Sequence, residues 1–301
     1  MTGVPSQPAP ILVIGRSGQL ATALARSGRP DIHCLGRPDL DFDRPETLAA
    51  AIATLSPALV VNAAAWTAVD AAESDPEGAA CANRDGPALL ARLCAERGIP
   101  LIHVSTDYVF DGTKGAPYVE TDPTSPRTVY GRTKAEGERA ILAAHDRAII
   151  LRTSWVYSSY GRNFVRTMLN AGAKNPLLRV VGDQHGNPTS ADDLADAILA
   201  VIDTIAREGW HDDYAGLFHA AGSGDTTWHG LAVAALQEAA KAGHPMPEVL
   251  AITTADWPTP AARPQDSRLD CTRLHDVFGI RLPQWRDSVA QTVAAILATN
   301  S

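Results

Sequence analysis

The 301-residue chain is expected to fold as an α/β protein, a doubly wound parallel sheet joined to a smaller C-terminal lobe. Three observations predict this. Short apolar runs alternate with helical segments over the first half, a glycine-rich loop joins the first run to the first helix, and after Trp155 the pattern loosens into a stretch punctuated by Gly and Pro. Continuous apolar strands separated by helices are those of a parallel sheet covered on both faces.

Ile11 to Ile14 reads as the first strand and Gln19 to Arg26 as the first helix. Leu59 to Ala65 follows an Ala-rich helix, Leu101 to Ser105 follows a helix around Ala88 to Glu96, and Ala148 to Arg152 follows one around Lys134 to Ala144. Asp192 to Arg207 has apolar residues at helical spacing and is expected to return to the first lobe, as is the strand-like Gly216 to Ala221. Pro245 to Gln265, with its many prolines, is expected as loops of the smaller lobe. The expected division is 10–154, with returning segments at about 189–206 and 216–222, against 155–188 and 223–299.

Hydrophobic residues at 45% and charged residues at 20% are those of an ordinary folded body. A net charge of −8 argues against a protein built to bind nucleic-acid phosphates. Cys34, Cys81, Cys94 and Cys271 lie far apart without metal-ligand spacing, so no metal site is expected and the four are read as core thiols in a reduced cytosol. The Pro-rich first ten residues read as a loose terminus rather than a signal peptide, and no apolar run approaches the ~18 residues of a membrane span. A cytoplasmic protein with no membrane or nucleic-acid partner is the expectation.

The loop Gly15-Arg16-Ser17-Gly18-Gln19-Leu20-Ala21 falls where the first strand gives way to the first helix. Glycines there permit a tight turn and a close backbone approach to a pyrophosphate, and the helix N-terminus supplies amide donors. By itself the loop also fits an ordinary strand-turn-helix. Cofactor choice turns on the end of the second strand, where a carboxylate suits NAD and an arginine suits the extra phosphate of NADP. Gly36-Arg37 stands there, with Arg16 as a second candidate cation. NADPH is therefore expected, with NADH left open, although both arginines are equally readable as solvated.

Tyr130 and Lys134 are four residues apart and share one helical face. A nearby ammonium favours the phenolate and brings a tyrosine toward the working range of an acid catalyst. The same spacing fits an amphipathic helix that merely covers its neighbours. Ser105-Thr106-Asp107-Tyr108-Val109-Phe110 follows the apolar strand from Leu101, at the sheet edge where α/β proteins bind ligands. Its hydroxyls can bond a substrate carbonyl beside the phenol.

These stretches, together with Asn62 to Asp70, Arg152 to Tyr157, Asn163-Phe164, Asp183 to Thr189, Pro258 to Ser267 and Leu282 to Trp285, resemble the extended short-chain dehydrogenase/reductases, and within them the dTDP-4-dehydrorhamnose reductases. The likeness spans almost the whole chain. It implies a Rossmann-type cofactor domain and NAD(P)H-dependent reduction of the C4 ketone of dTDP-4-dehydro-L-rhamnose, the last step in making dTDP-L-rhamnose for cell-surface polysaccharide. By resemblance, Gly18, Gln19 and Leu20 contact the cofactor diphosphate, Asp41 and Phe42 the adenine, and Ala65, Trp66 and Thr67 the nicotinamide-side ribose, with Val104, Tyr130 and Lys134 completing that half. Thr106, Asp107 and Trp155 hold the sugar, with Asn163 and Arg263 toward the nucleotide; Thr106, Tyr130 and Lys134 carry the chemistry. Some bacterial members form a metal-bridged dimer through a glutamate in the first helix. Ala23 stands at that position here, so no metal is carried over, while a homodimer stays open. Two other readings are a non-catalytic NADP-binding subunit like the β subunit of methionine adenosyltransferase, and a sugar-nucleotide epimerase or dehydratase. The full Thr106, Tyr130 and Lys134 set favours an enzyme, and a dehydratase would carry Glu beside Thr106.

Overall fold

The computed structural model describes residues 9–299; the first eight residues of the Pro-rich start lie outside them. In chain order the strands and helices are β1 (Ile11–Ile14), α1 (Gln19–Arg26), β2 (Ile32–Leu35), α2 (Pro45–Leu55), β3 (Leu59–Asn62), α3 (Val69–Ser74), α4 (Pro76–Ala80), α5 (Gly86–Ala95), β4 (Leu101–Thr106), α6 (Val129–Ala144), β5 (Ala148–Thr153) and β6 (Val156–Tyr157). There follow α7 (Phe164–Gly172), β7 (Leu177–Val181), β8 (His185–Gly186), β9 (Thr189–Ser190), α8 (Ala191–Glu208), β10 (Gly216–His219), β11 (Thr226–Thr227), α9 (Trp228–Lys241), β12 (Glu248–Ile252), α10 (Thr272–Phe278) and α11 (Trp285–Thr299).

Six parallel strands form the main sheet in the order β2-β1-β3-β4-β5-β10. The chain moves outward from β1 to β2, then crosses to β3 on the other side, so a crevice opens beyond the C-terminal ends of β1 and β3. The inner strands are apolar along their whole length because both faces are covered. On one face Val13, Val61, Ile102 and Ile149 meet α1 and α8; on the other Leu12, Val60, Leu101 and Ile150 meet α2, α5 and α6. The smaller body is built from α7, α9 and α11 around Tyr157, Leu231, Ala235, Trp285 and Val289, with the parallel β7–β12 pair lying on α9.

Several boundaries differ from expectation. β3 stops at Asn62 instead of Ala65, because the chain turns there over the crevice. α6 agrees with the shared helical face expected of Tyr130 and Lys134: it begins at Val129, where the Thr128 hydroxyl accepts the Gly131 amide proton at 2.9 Å. Within Pro245 to Gln265, read as loops, Glu248–Ile252 is a strand on β7. Thr272–Phe278, expected in the smaller lobe, packs against the main sheet, since Leu274, Val277 and Phe278 cover Phe218 and Tyr214. The four cysteines are free thiols, but only Cys94 is core; Cys34, Cys81 and Cys271 are half-buried.

Two glycines let α6 press onto its neighbours. A Cβ at Gly131 would stand 2.1 Å from the Tyr108 carbonyl oxygen, and one at Gly137 would stand 2.1 Å from that of Asn83, which lies in a π-helical turn at Cys81–Asp85. The same helix is tied to the sheet by a buried ion pair. Arg152 of β5 donates to both oxygens of Glu138, from Nε at 2.9 Å and Nη2 at 2.7 Å, and Ser105 of β4 donates to the same carboxylate at 2.5 Å. Removing one partner leaves an uncompensated charge in the core. Glu138→Ala is expected to cost about 3–5 kcal/mol of unfolding free energy, measured by urea denaturation followed by circular dichroism.

Candidate active site

At Gly15 the chain leaves β1 with φ +134°, a conformation that L side chains rarely adopt. A Cβ there would meet that of Ala21 at 3.1 Å, so Gly15 and Ala21 together allow α1 to close onto the strand. α1 opens at Gly18 without a side chain bonded to its first amides, and a Cβ at Gly18 would meet open space. Gly18, Gln19 and Leu20 form one wall of a cleft of about 550 Å³ at the C-terminal edge of the sheet. The Gln19 side chain is committed elsewhere, donating to the Val156 carbonyl and accepting from the Ser158 hydroxyl.

Past β2, the charged residues pair with one another. Arg16 meets Asp39 at 3.0 Å, while Arg37 donates to Asp41 at 2.9 Å and to Asp43 at 2.6 Å. Phe42 lies over Gly86, where a Cβ would come within 2.4 Å of its ring. Ala65 and Thr67 line the cleft. Trp66 buttresses their loop: its backbone amide donates to Asn83 Oδ1 and its indole Nε1 to the Ala68 carbonyl.

The cleft floor brings together Val104, Thr106, Asp107, Tyr130, Lys134 and Trp155. Tyr130, in the first turn of α6, faces the same cleft as Thr106; burial pushes its phenol up to about 12, the Thr106 hydroxyl opposes this, and the Asp107 charge adds to it. Lys134 was expected to depress that phenol. Instead its Nζ turns toward β4, donating to the Val104 carbonyl at 2.6 Å and meeting His103 Nε2 at 3.1 Å. Burial holds the Lys134 ammonium down to about 8, against the opposing charge of Glu138. The effect expected from sequence spacing is thus not the one this arrangement produces.

Asp107 is almost wholly buried, with Oδ1 accepting from Thr106 and Oδ2 without a partner. Burial raises its carboxyl to about 6, although the Ser267 and Thr106 hydroxyls pull the other way. Trp155 takes φ +48° and stacks on Trp228, ring centroids 3.7 Å apart and planes 10° from parallel. Gly186 makes room for it, since a Cβ there would stand 2.5 Å from the indole.

The remaining two residues are engaged within the chain. Asn163 caps α7, accepting from the Arg166 amide and donating to the Ser158 and Tyr160 carbonyls. Arg263 pairs with Asp70 at 2.7 Å, where Asp70 also accepts the Ala261 amide proton. Sequence reading missed Trp228 and Arg162, both of which line the cleft. Nothing local marks Trp228; it reaches the site only because α9 packs beneath Trp155. Among the described residues no cluster of three or more His, Cys, Asp or Glu could hold a metal ion, and no helix is long and apolar enough to cross a membrane.

A family model described as the RmlD substrate binding domain matches residues 9–298. The dTDP-4-dehydrorhamnose reductase of Sinorhizobium fredii is 46% identical over 292 residues, covering 95% of this chain and 97% of that protein. The crystal structure of a dTDP-4-dehydrorhamnose reductase from Clostridium acetobutylicum superposes with a TM-score of 0.88 at 34% identity, covering 96% of this chain and 99% of that one. A Bacillus anthracis dTDP-4-dehydrorhamnose reductase solved in complex with NADP has a TM-score of 0.85 at 28% identity, with 95% and 99% covered. A match this long, over both the helix that carries Tyr130 and the lobe that carries Trp228, makes the chain a member of the RmlD substrate binding domain family.

Proposed function

We propose that the chain is a dTDP-4-dehydrorhamnose reductase, which reduces the C4 ketone of dTDP-4-dehydro-L-rhamnose with NADPH to give dTDP-L-rhamnose. The observation that carries this reading is the gathering of Thr106, Tyr130 and Lys134 on the floor of a cleft whose wall is the open start of α1. The names and coverage of the relatives support it, as does the NADP in the Bacillus anthracis structure.

The residues present fit a dinucleotide. Gly18 leaves space where a side chain would intrude, and the first amides of α1 carry partial positive charge suited to a diphosphate. Gly15, Gly18, Gln19 and Leu20 would hold it through the backbone, Arg16 and Arg37 the 2′-phosphate, and Asp41 and Phe42 the adenine end. Ala65, Trp66, Thr67, Val104 and Lys134 would flank the nicotinamide half. When bound, the reduced nicotinamide supplies the hydride.

The chain's own part is to orient the ketone and to supply a proton. Thr106 and Tyr130 offer two hydroxyls to one carbonyl oxygen, and Tyr130 delivers its proton to the alkoxide oxygen as it forms. A phenol held near 12 is fully protonated at neutral pH, which is the state an acid requires. The unpartnered Asp107 oxygen suits a sugar hydroxyl, and Trp155 with Trp228 offers a flat apolar face to the ring. Asn163 and Arg263 lie toward the nucleotide end of this reading, where Arg263 would exchange Asp70 for a phosphate oxygen. The cofactor body is assigned to 10–154 with about 189–206 and 216–222, and the remainder to the sugar-nucleotide lobe, apart from α10. The reaction is assigned to the cytoplasm.

Tyr130→Phe is expected to lower kcat by about 10²–10⁴-fold while NADPH affinity stays within a factor of two, followed by nicotinamide absorbance and by fluorescence titration. Gly18→Ala is expected to keep the wild-type melting temperature, because its Cβ meets nothing, yet to weaken NADPH binding at least tenfold. Asp107 titrates near 6 in the fold against 3.8 in the unfolded chain, so the fold binds more protons between these values and loses stability as pH rises through that window. Asp107→Asn removes the buried charge. Denaturation at pH 4 and pH 8 is expected to show the variant gaining roughly 2 kcal/mol on wild type between the two.

A further inference from the structure

Arg16, Arg37 and Arg263, the arginines read toward phosphates, are each paired with aspartates of the chain itself. Arg162 is not. It is exposed, it lines the cleft, and among the described residues its side chain has no ion pair and no hydrogen bond. Lys134, the other Lys or Arg of the lining, is bonded to the Val104 carbonyl at 2.6 Å. An unpaired guanidinium in the wall of a cleft, on a chain of net charge −8, is a cation without its anion.

The turn between β6 and α7, residues 158–163, fixes where Arg162 stands. Ser158 donates to Gln19 Oε1 at 2.7 Å, and Gln19 donates to the Val156 carbonyl at 3.2 Å, so the turn is stitched to the first residue of α1. Gly161, at φ +67°, lies against the same side chain, since a Cβ there would meet Gln19 Cγ at 3.6 Å. Tyr160 anchors the turn to the main body. Its hydroxyl donates to Asp192 of α8 at 3.0 Å, and the Arg26 guanidinium of α1 lies 5.2 Å over its ring. Asn163 bonds the Ser158 and Tyr160 carbonyls, and Arg166 bonds that of Ser159. These neighbours are consumed in building the turn, and Arg162 is left over to the cleft.

Two anions of one chemistry enter this cleft in the reductase reading, the diphosphate of the cofactor and that of the sugar nucleotide. A guanidinium fork meets two phosphate oxygens at once, which an ammonium does not. Position separates the two anions. Arg263 stands near Tyr108, whose phenol feels its charge, whereas Arg162 is fastened to Gln19, next to Gly18 and the uncapped first amides of α1. We propose that Arg162 is a cofactor-binding residue whose guanidinium pairs with the diphosphate of the dinucleotide beside the start of α1. The inference rests on the dinucleotide cleft of the reductase reading and adds to it a charged partner from the segment assigned to the other lobe, so that both bodies hold the cofactor.

The test is a set of ligand titrations on the purified full chain. Arg162→Gln removes the charge at an exposed position, so it is expected to keep the wild-type melting temperature. In about 50 mM salt, nicotinamide fluorescence is expected to show NADPH and NADH each bound about 3–10-fold more weakly by the variant. The factor is expected to be the same for both, since both carry the diphosphate and only NADPH carries the 2′-phosphate. The gap is expected to narrow in about 300 mM salt, and Arg162→Lys, which keeps the charge, is expected to recover most of the affinity. Binding of dTDP, followed by isothermal titration calorimetry, is expected to stay within roughly a factor of two of wild type. Unchanged affinity for both cofactors overturns the proposal. A loss for NADPH alone overturns it in favour of the 2′-phosphate, and a loss for dTDP as large as that for the cofactors overturns it in favour of the substrate's diphosphate. A wild-type chain that binds neither cofactor overturns this proposal and the reductase reading together, whereas cofactor binding without turnover of dTDP-4-dehydro-L-rhamnose overturns the reductase reading alone.

Discussion

The site depends on the position of α6, and α6 is fixed by the Arg152–Glu138 pair. Both side chains are almost wholly buried, and the arginine additionally lies 5.0 Å over the Phe110 ring. Such a pair contributes little net stability against an apolar alternative, since desolvation offsets the attraction. Its value is directional: a bidentate fork accepts one geometry, and Ser105 on the neighbouring strand narrows it further. With Gly131 and Gly137 permitting backbone contact on either side, the helix can hold Tyr130 at Thr106 in one register only.

Burial then decides the charge state of the floor. Tyr130 and Asp107 are pushed up and Lys134 is pushed down, each toward its neutral form and each with desolvation as the largest cause. The cleft thereby holds a protonated phenol beside a carboxyl and an ammonium whose titrations lie closer to neutrality than the same groups have in water. Hydrogen bonds carry the arrangement, and in a low-dielectric setting they are also costly to leave unmade.

Much of this was legible in the residues. The alternation of apolar runs and helices gave the parallel sheet, since period and length are properties of the local chain, and Gly15, Gly18 and Ala21 announced the loop because their lack of bulk is visible in the letters. Thr106 and Tyr130 were legible as a pair through strand end and helix start. The β7–β12 pair was not, because Glu248–Ile252 is short, flanked by proline, and half-exposed. Nor was the stacking of Trp228 on Trp155, which joins residues 73 positions apart through the packing of α9.

The sequence by itself therefore determined the sheet, the glycine loop at its edge, and the placing of Thr106 at a strand end and Tyr130 at a helix start, all of which follow from short-range pattern. Only the tertiary structure decided what Lys134 does. Spacing along a helix put it on the same face as Tyr130, but the direction of Nζ depends on β4 lying underneath, where the Val104 carbonyl and His103 capture it. Desolvation and hydrogen-bond matching are properties of that three-dimensional contact, and no window of sequence contains them.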